Sequence, residues 1–170
     1  MHRWTGLELF GRTLPVTKPS LVTSPESHCQ ATTLLVFAKK PLPGQVKTRL
    51  IPLLGALGAA QLAERLIERT IEMLDHAALG PIEIWTSPDS AHPVFERLSE
   101  RVDCRLCIQH GQDLGARLWN AVRQASGPVL LIGTDCPAMT PNYLASALQR
   151  LEGQDAVLGP ATDGGYVLLG

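Results

Sequence analysis

The sequence predicts a doubly wound α/β fold, a mostly parallel sheet with helices on both faces. Three observations carry this expectation. Short apolar runs, each long enough for one strand, recur along the chain. Amphipathic stretches with helical spacing separate them, and Gly, Pro and Thr mark the junctions. Such alternation implies right-handed crossovers and strands buried on both faces.

Residues 1–31 carry Pro15, Pro19 and Pro25 among scattered Ser and Thr without a sustained period, and read as a poorly ordered leader to a domain spanning 32–170. The run TLLVFA from Thr33 is the first strand. A Pro/Gly/Lys loop follows. The first helix shows in Leu62, Leu66, Ile67, Thr70, Ile71, Leu74 and Ala78, with Glu64, Arg65, Glu68 and Arg69 between them and Gly80 and Pro81 closing it. IEIWT (82–86) is a strand, Val94 to Arg101 a helix, RLCIQ (105–109) a strand, and Leu114 to about Ala125 a helix. PVLLIGT (128–134) is a buried strand. Pro141 to Leu151 is a helix with Thr140 as N-cap and Pro141 in its first turn, and AVLG (156–159) is a strand.

Composition limits the function classes. The 170 residues are 45% hydrophobic and 18% charged, with a formal net charge of -1, so no global field draws the chain to nucleic acid or an acidic membrane. No uninterrupted run of about 18 apolar residues marks a membrane span, and Met1 to Val16 lacks the apolar core of a secretory signal. With four cysteines and no need of disulfide staples, a cytoplasmic protein is expected.

Chemistry in such a sheet belongs to loops at the carboxyl ends of the strands. The first, FAKKPLPGQVKTRL, sets Lys39, Lys40, Lys47 and Arg49 around Pro41, Pro43 and Gly44, a stiff cationic loop suited to an anion unless it is merely a solvated basic loop. It is not a P-loop, since Pro41 and Val46 stand where that motif needs glycine, and no dinucleotide fingerprint follows the strand. Asp135 in GTDCP directly follows an apolar strand and could hold a hard cation, or cap a turn. Asp163 in GPATDGGY could do the same, or form an Asp-Gly hairpin to the strand starting at Tyr166. Two carboxylates opposite a basic loop suit Mg2+ or Mn2+ bound to a diphosphate. Asp113 in QHGQDLGARL reads most simply as a helix cap, with Arg117 one turn later. Cys104 and Cys107 form a lone C-x-x-C with no second pair to complete a zinc site.

Taken in order, FAKKPLPGQVKTRL, QHGQDLGARL, LLIGTDCP and GPATDGGYVLLG resemble the bacterial GT-A-type glycosyltransferases, some associated with radical-SAM genes and arsenosugar biosynthesis, and more distantly the phospholactate guanylyltransferases. The resemblance implies a nucleotide-activated donor, a small-molecule acceptor and a divalent metal. By position it implies donor-phosphate contacts from Lys39, Gly44, Lys47 and Arg49, metal at Asp135, metal or acceptor at Asp163, and a nucleoside near Asp113. It further implies that the family continues beyond DGGY, so that the chain ending at Gly170 lacks a C-terminal part, turns over poorly, and can associate into homo-oligomers through its last strand. Glycosyl transfer from a nucleoside-diphosphate sugar is the leading expectation. Nucleotidyl transfer to a phosphorylated small molecule and non-catalytic nucleotide binding are the alternatives.

Overall fold

A computed structural model describes residues 31–162 and 164–170. The leader expected over 1–31, Ala31 apart, and Asp163 lie outside these described residues.

Six strands form one sheet in the order β3-β2-β1-β4-β6-β5. The strands are β1 (Thr33–Lys39), β2 (Ile82–Ser87), β3 (Cys104–Ile108), β4 (Val129–Gly133), β5 (Leu158–Pro160) and β6 (Tyr166–Leu169). β1 pairs in parallel with both β2 and β4, and β2 with β3. β6 is antiparallel to β4 and to β5, so the segment around 164 turns a hairpin, as the Asp-Gly pair suggested. The expected strand over 156–159 forms as Leu158–Pro160, with an irregularity at Gly159/Pro160. Val157 and Gly170 still exchange backbone hydrogen bonds before it.

Strand periodicity sorts the core. Leu34, Val36 and Ala38 of β1 face one side with Ile82, Ile84, Leu130 and Ile132, and there meet α1 (Ile51–Ala77), α2 (Pro93–Arg101) and α4 (Pro141–Leu151). Leu35, Trp85 and Leu131 face the other side and meet Ala121 of α3 (Leu114–Val122). Helices therefore cover both faces of the sheet.

The first helix differs from its expected bounds at both ends. It starts at Ile51 rather than near Leu62, and Gly55, at φ 70 and ψ 166, breaks it one turn in. It stops at Ala77 with Ala78 left-handed, so Gly80 is not its stop signal. Gly80 serves a close approach instead, because a Cβ there would strike the carbonyl of Thr32. Together with the 3-10 turn Thr48–Leu50, α1 gives a helix of 30 residues, long and apolar enough to cross a membrane by length and composition. A count of uninterrupted apolar residues misses it, since Glu64 and Arg65 stand inside. Here the helix lies against the sheet through Ile67, Ile71 and Leu74, while Arg97 of α2 donates to its Glu64 and Glu68.

Candidate functional site

From β1 the chain runs to β2 and β3 on one side, and β4 lies on the other, so the sheet order reverses between β1 and β4. Open α/β sheets bind ligands outside the carboxyl ends of their strands at this kind of reversal. Two loops leave there, 40–50 after β1 and 134–140 after β4.

The β1 loop is held at several points. Lys39 Nζ donates to the Gln45 carbonyl at 2.8 Å, closing the loop on its own start. Lys40 Nζ donates to Asp89 Oδ1 at 2.9 Å, tying it to the loop after β2. Val46 is buried and packs on Ala60 and Ala63 of α1. Next comes Lys47, whose backbone is left-handed at φ 48 and ψ 37. For a residue with a Cβ this costs about 1–2 kcal/mol, and the following turn stabilises it through the Leu50 N–H on the Lys47 carbonyl at 2.8 Å. Gly44, at φ 79, supplies the other left-handed position and is exposed.

The outcome of this bend is one contact. Lys47 Nζ lies 2.7 Å from Asp135 Oδ1, joining the two loops across the reversal point. The lysine side chain is 18% exposed and the aspartate side chain 75%. With one partner so open to water, the pair contributes about 0–1 kcal/mol to stability. Its cation and carboxylate are thus available to a ligand at small cost.

Asp135 and Gly133 border two cavities. One, about 380 Å³, is also lined by Phe37, Lys39, Lys47, Thr134 and Leu114. The other, about 660 Å³, lies toward the β5–β6 hairpin and is lined by Cys136, Pro137, Met139, Tyr143, Thr162 and Tyr166 among others.

The remaining expected residues divide. Arg49 is exposed on the 3-10 turn, with no ion pair among the described residues. Asp113 caps α3: its Oδ1 accepts the Ala116 N–H at 2.8 Å, so its carboxylate is used structurally, while the adjacent Leu114 reaches the smaller cavity. Arg117 donates to the Gly111 carbonyl and to Ser87 Oγ, each at 3.1 Å. Cys104 and Cys107 lie along β3 with thiol pKa values raised, chiefly by burial. No group of three potential His, Cys, Asp or Glu metal ligands exists among the described residues. Asp135 alone still fits Mg2+ or Mn2+ arriving with a diphosphate, because such ions take one or two carboxylates and complete their shells with phosphate oxygens and water.

Two features escape a reading of the sequence. Gln109 donates through Nε2 to the Trp85 carbonyl at 2.7 Å, fastening the end of β3 to β2. Phe37 stacks on Trp85 at 6.2 Å between ring centroids and also lines the smaller cavity. A polar residue closing an apolar run was the signal for the first. Nothing local marked the second.

Three comparisons bear on this geometry. The family described as "Uncharacterized protein conserved in bacteria (DUF2064)" matches residues 70–170. The chain is similar to the solved structure of a "putative nucleotide-diphospho-sugar transferase" from Desulfovibrio desulfuricans G20, with TM-score 0.73 and 32% identity, covering 82% of this chain and 62% of that one. The chain thus spans less than two thirds of that relative's length. It is similar in fold alone to a 4-diphosphocytidyl-2C-methyl-D-erythritolsynthase from Anaerococcus prevotii DSM 20548, with TM-score 0.52, 10% identity, and coverage of 81% and 63%. No curated protein sequence matches. The fold is that of the nucleotide-diphospho-sugar transferases.

Proposed function

The chain belongs to the bacterial DUF2064 family, and from that premise we propose that it is a metal-dependent transferase moving a glycosyl group from a nucleoside-diphosphate sugar to a small acceptor. The observation that carries the proposal is the 2.7 Å contact of Lys47 with Asp135 across the reversal point of the sheet. A cation from one loop and a carboxylate from the other meet where an α/β sheet binds ligands. The similarity to a protein described as a nucleotide-diphospho-sugar transferase supports the same reading.

In this reading the donor diphosphate enters the smaller cavity, with Lys47, Lys39 and Arg49 as its cations and Gly44 letting the loop approach. Asp135, with Asp163 as a second candidate, holds a divalent ion. When bound, that ion supplies charge neutralisation for the departing diphosphate. Lys47 exchanges its aspartate partner for phosphate oxygen at little cost, since the pair is weak. Transfer breaks the bond from the anomeric carbon to the diphosphate oxygen and forms one from that carbon to the acceptor oxygen. The acceptor proton leaves with the diphosphate or to water. Three free cysteines among the described residues fit a cytoplasmic setting, where such donors are made.

The test is donor turnover with Mg2+ or Mn2+. Release of nucleoside diphosphate from nucleoside-diphosphate sugars is expected. Release of pyrophosphate from nucleoside triphosphates would replace glycosyl with nucleotidyl transfer, and absence of metal-dependent nucleotide binding would sink both.

A further inference from the structure

The cations of the β1 loop are not equivalent. Lys39 Nζ is engaged by the Gln45 carbonyl and Lys40 Nζ by Asp89, ties that hold the loop to itself and to the loop after β2. Arg49 is exposed, with no ion pair among the described residues. Lys47 differs from all three, because its ammonium sits 2.7 Å from Oδ1 of Asp135, the carboxylate nominated for the metal. Among the described residues, no other cation pairs with Asp135.

The pair is anchored at the lysine backbone and free at the side chains. Val46, buried against Ala60 and Ala63, and the turn closed by the Leu50 N–H on the Lys47 carbonyl hold that backbone in place. The Lys47 side chain is 18% exposed and that of Asp135 75%. Both line the smaller cavity, beside Lys39 and Thr134. A phosphate oxygen in that cavity can therefore meet the Lys47 ammonium without any move of the backbone, and only the side chain has to leave the carboxylate.

We infer that Lys47 and Asp135 guard one another, so that the smaller cavity takes the complex of a divalent cation with a diphosphate in preference to either component alone. A bare dication at Asp135 would stand beside the Lys47 ammonium, and like charges a few ångströms apart repel even through water. A metal-free diphosphate at Lys47 would stand beside the Asp135 carboxylate and meet the same obstacle with the signs reversed. The complex removes both obstacles at once: Lys47 turns to phosphate oxygen, and Asp135, released from its ammonium, is open to the metal. Each component thus raises the affinity for the other by the same factor, as linkage requires. Because Asp135 is open to water, screening keeps that factor to a few-fold rather than many decades. The inference rests on the reading above for the diphosphate and the metal. The mutual exclusion follows from the contact itself.

The probes are Mn2+ alone, inorganic pyrophosphate alone and the two together, at one ionic strength. Electron paramagnetic resonance of the free ion reads Mn2+ binding, and calorimetry reads pyrophosphate binding. Lys47→Met, uncharged and of similar length, is expected to hold bare Mn2+ about fivefold more tightly than the unaltered protein does, and the Mn2+–pyrophosphate complex more weakly. Lys47→Arg keeps the charge and should keep the low affinity for bare Mn2+. Asp135→Asn should hold metal-free pyrophosphate about fivefold more tightly and lose the advantage that Mn2+ confers. These are gains in affinity, which a fold weakened by substitution would not produce, and thermal unfolding checks each variant. Bare Mn2+ held equally by the unaltered protein and Lys47→Met, or metal-free pyrophosphate held equally by the unaltered protein and Asp135→Asn, overturns the inference. Nucleoside-diphosphate release from nucleoside-diphosphate sugars, measured on the same samples, reports the transferase reading separately. The expected gains without that release keep the guard and reject glycosyl transfer, and absence of Mn2+ and pyrophosphate binding in every variant overturns both.

Discussion

The four parallel strands and the β6–β5 edge are parts of one sheet built to different standards. In the parallel half, Leu34, Leu35, Val36, Ile84 and Leu130 are each 0% exposed. At the edge, β5 is three residues long, its Leu158 is 54% exposed, and its pairing with β6 is irregular. The difference separates two tasks. A frame buried on both faces holds the loops that carry Lys47 and Asp135 in fixed positions, while the thinner edge contributes the shape of the larger cavity.

Stability should follow the same division. Leu34→Ala is expected to cost about 2–5 kcal/mol, as for a fully enclosed leucine, and Leu158→Ala less than about 1 kcal/mol. Urea unfolding with unchanged slope is the measurement. Equal losses at the two positions would show the edge to be as much a part of the core as the parallel half.

The next largest effect is expected where the two halves meet. Asp135→Asn preserves shape and removes the carboxylate charge, so metal-dependent nucleotide binding should fall about tenfold or more. Unfolding free energy should change by no more than about 1 kcal/mol, because the Lys47 pair is open to solvent. Binding calorimetry with and without metal checks this. Unchanged binding would reduce Asp135 to a turn residue.

Most of the parallel half was legible in the sequence, since strands buried on both faces appear as bare apolar runs such as TLLVFA and VLLIG, and caps such as Thr140-Pro141 and Asp113 announce their helices. The start of α1 was not legible. IPLLGALGAA mixes leucines, a proline and two glycines without a polar face, and Leu53 and Leu57 remain 82% and 63% exposed in the fold. Amphipathic spacing begins only where the helix meets the sheet. Strand order was equally hidden, because no local pattern tells that β4 returns beside β1. The Lys47–Asp135 contact follows from that order, so the sequence could nominate both residues without joining them. Gln109 and the Phe37–Trp85 stack depend on packing across strands and left little local trace.

A smaller effect is expected from the cations of the β1 loop. Lys47→Ala and Arg49→Ala should weaken donor binding several-fold, with a loss that shrinks as salt is raised, because screened attraction to phosphate is what they supply. Lys39→Ala should behave differently. Its ammonium holds the Gln45 carbonyl, so its loss also loosens the loop, and part of the defect should persist in high salt. Titrations at low and high ionic strength separate the two patterns. Identical salt dependence for Lys39 and Lys47 would mean that the loop needs no internal tie.

The smallest effect concerns the tie between that loop and the parallel half. Asp89 lies after β2, and its carboxyl is held below the usual carboxylate range, first by the hydrogen bond from Lys40 and then by the Ala91 N–H. A carboxylate more acidic in the folded protein than in the unfolded chain stabilises the fold above its unfolded pKa and loses that contribution as pH falls through the folded value. Asp89→Asn should therefore lower the unfolding midpoint slightly and by a constant amount across neutral and mildly acidic pH. The gap from the unaltered protein should narrow only below about pH 4. Because Lys40 adjoins the donor loop in sequence, donor affinity should fall with the same pH profile if the tie positions that loop. A stability gap that persists in strong acid would assign it to Asp89's local turn with Ala91. A donor effect with no stability gap would make Lys40 a ligand for phosphate that Asp89 merely holds in reserve.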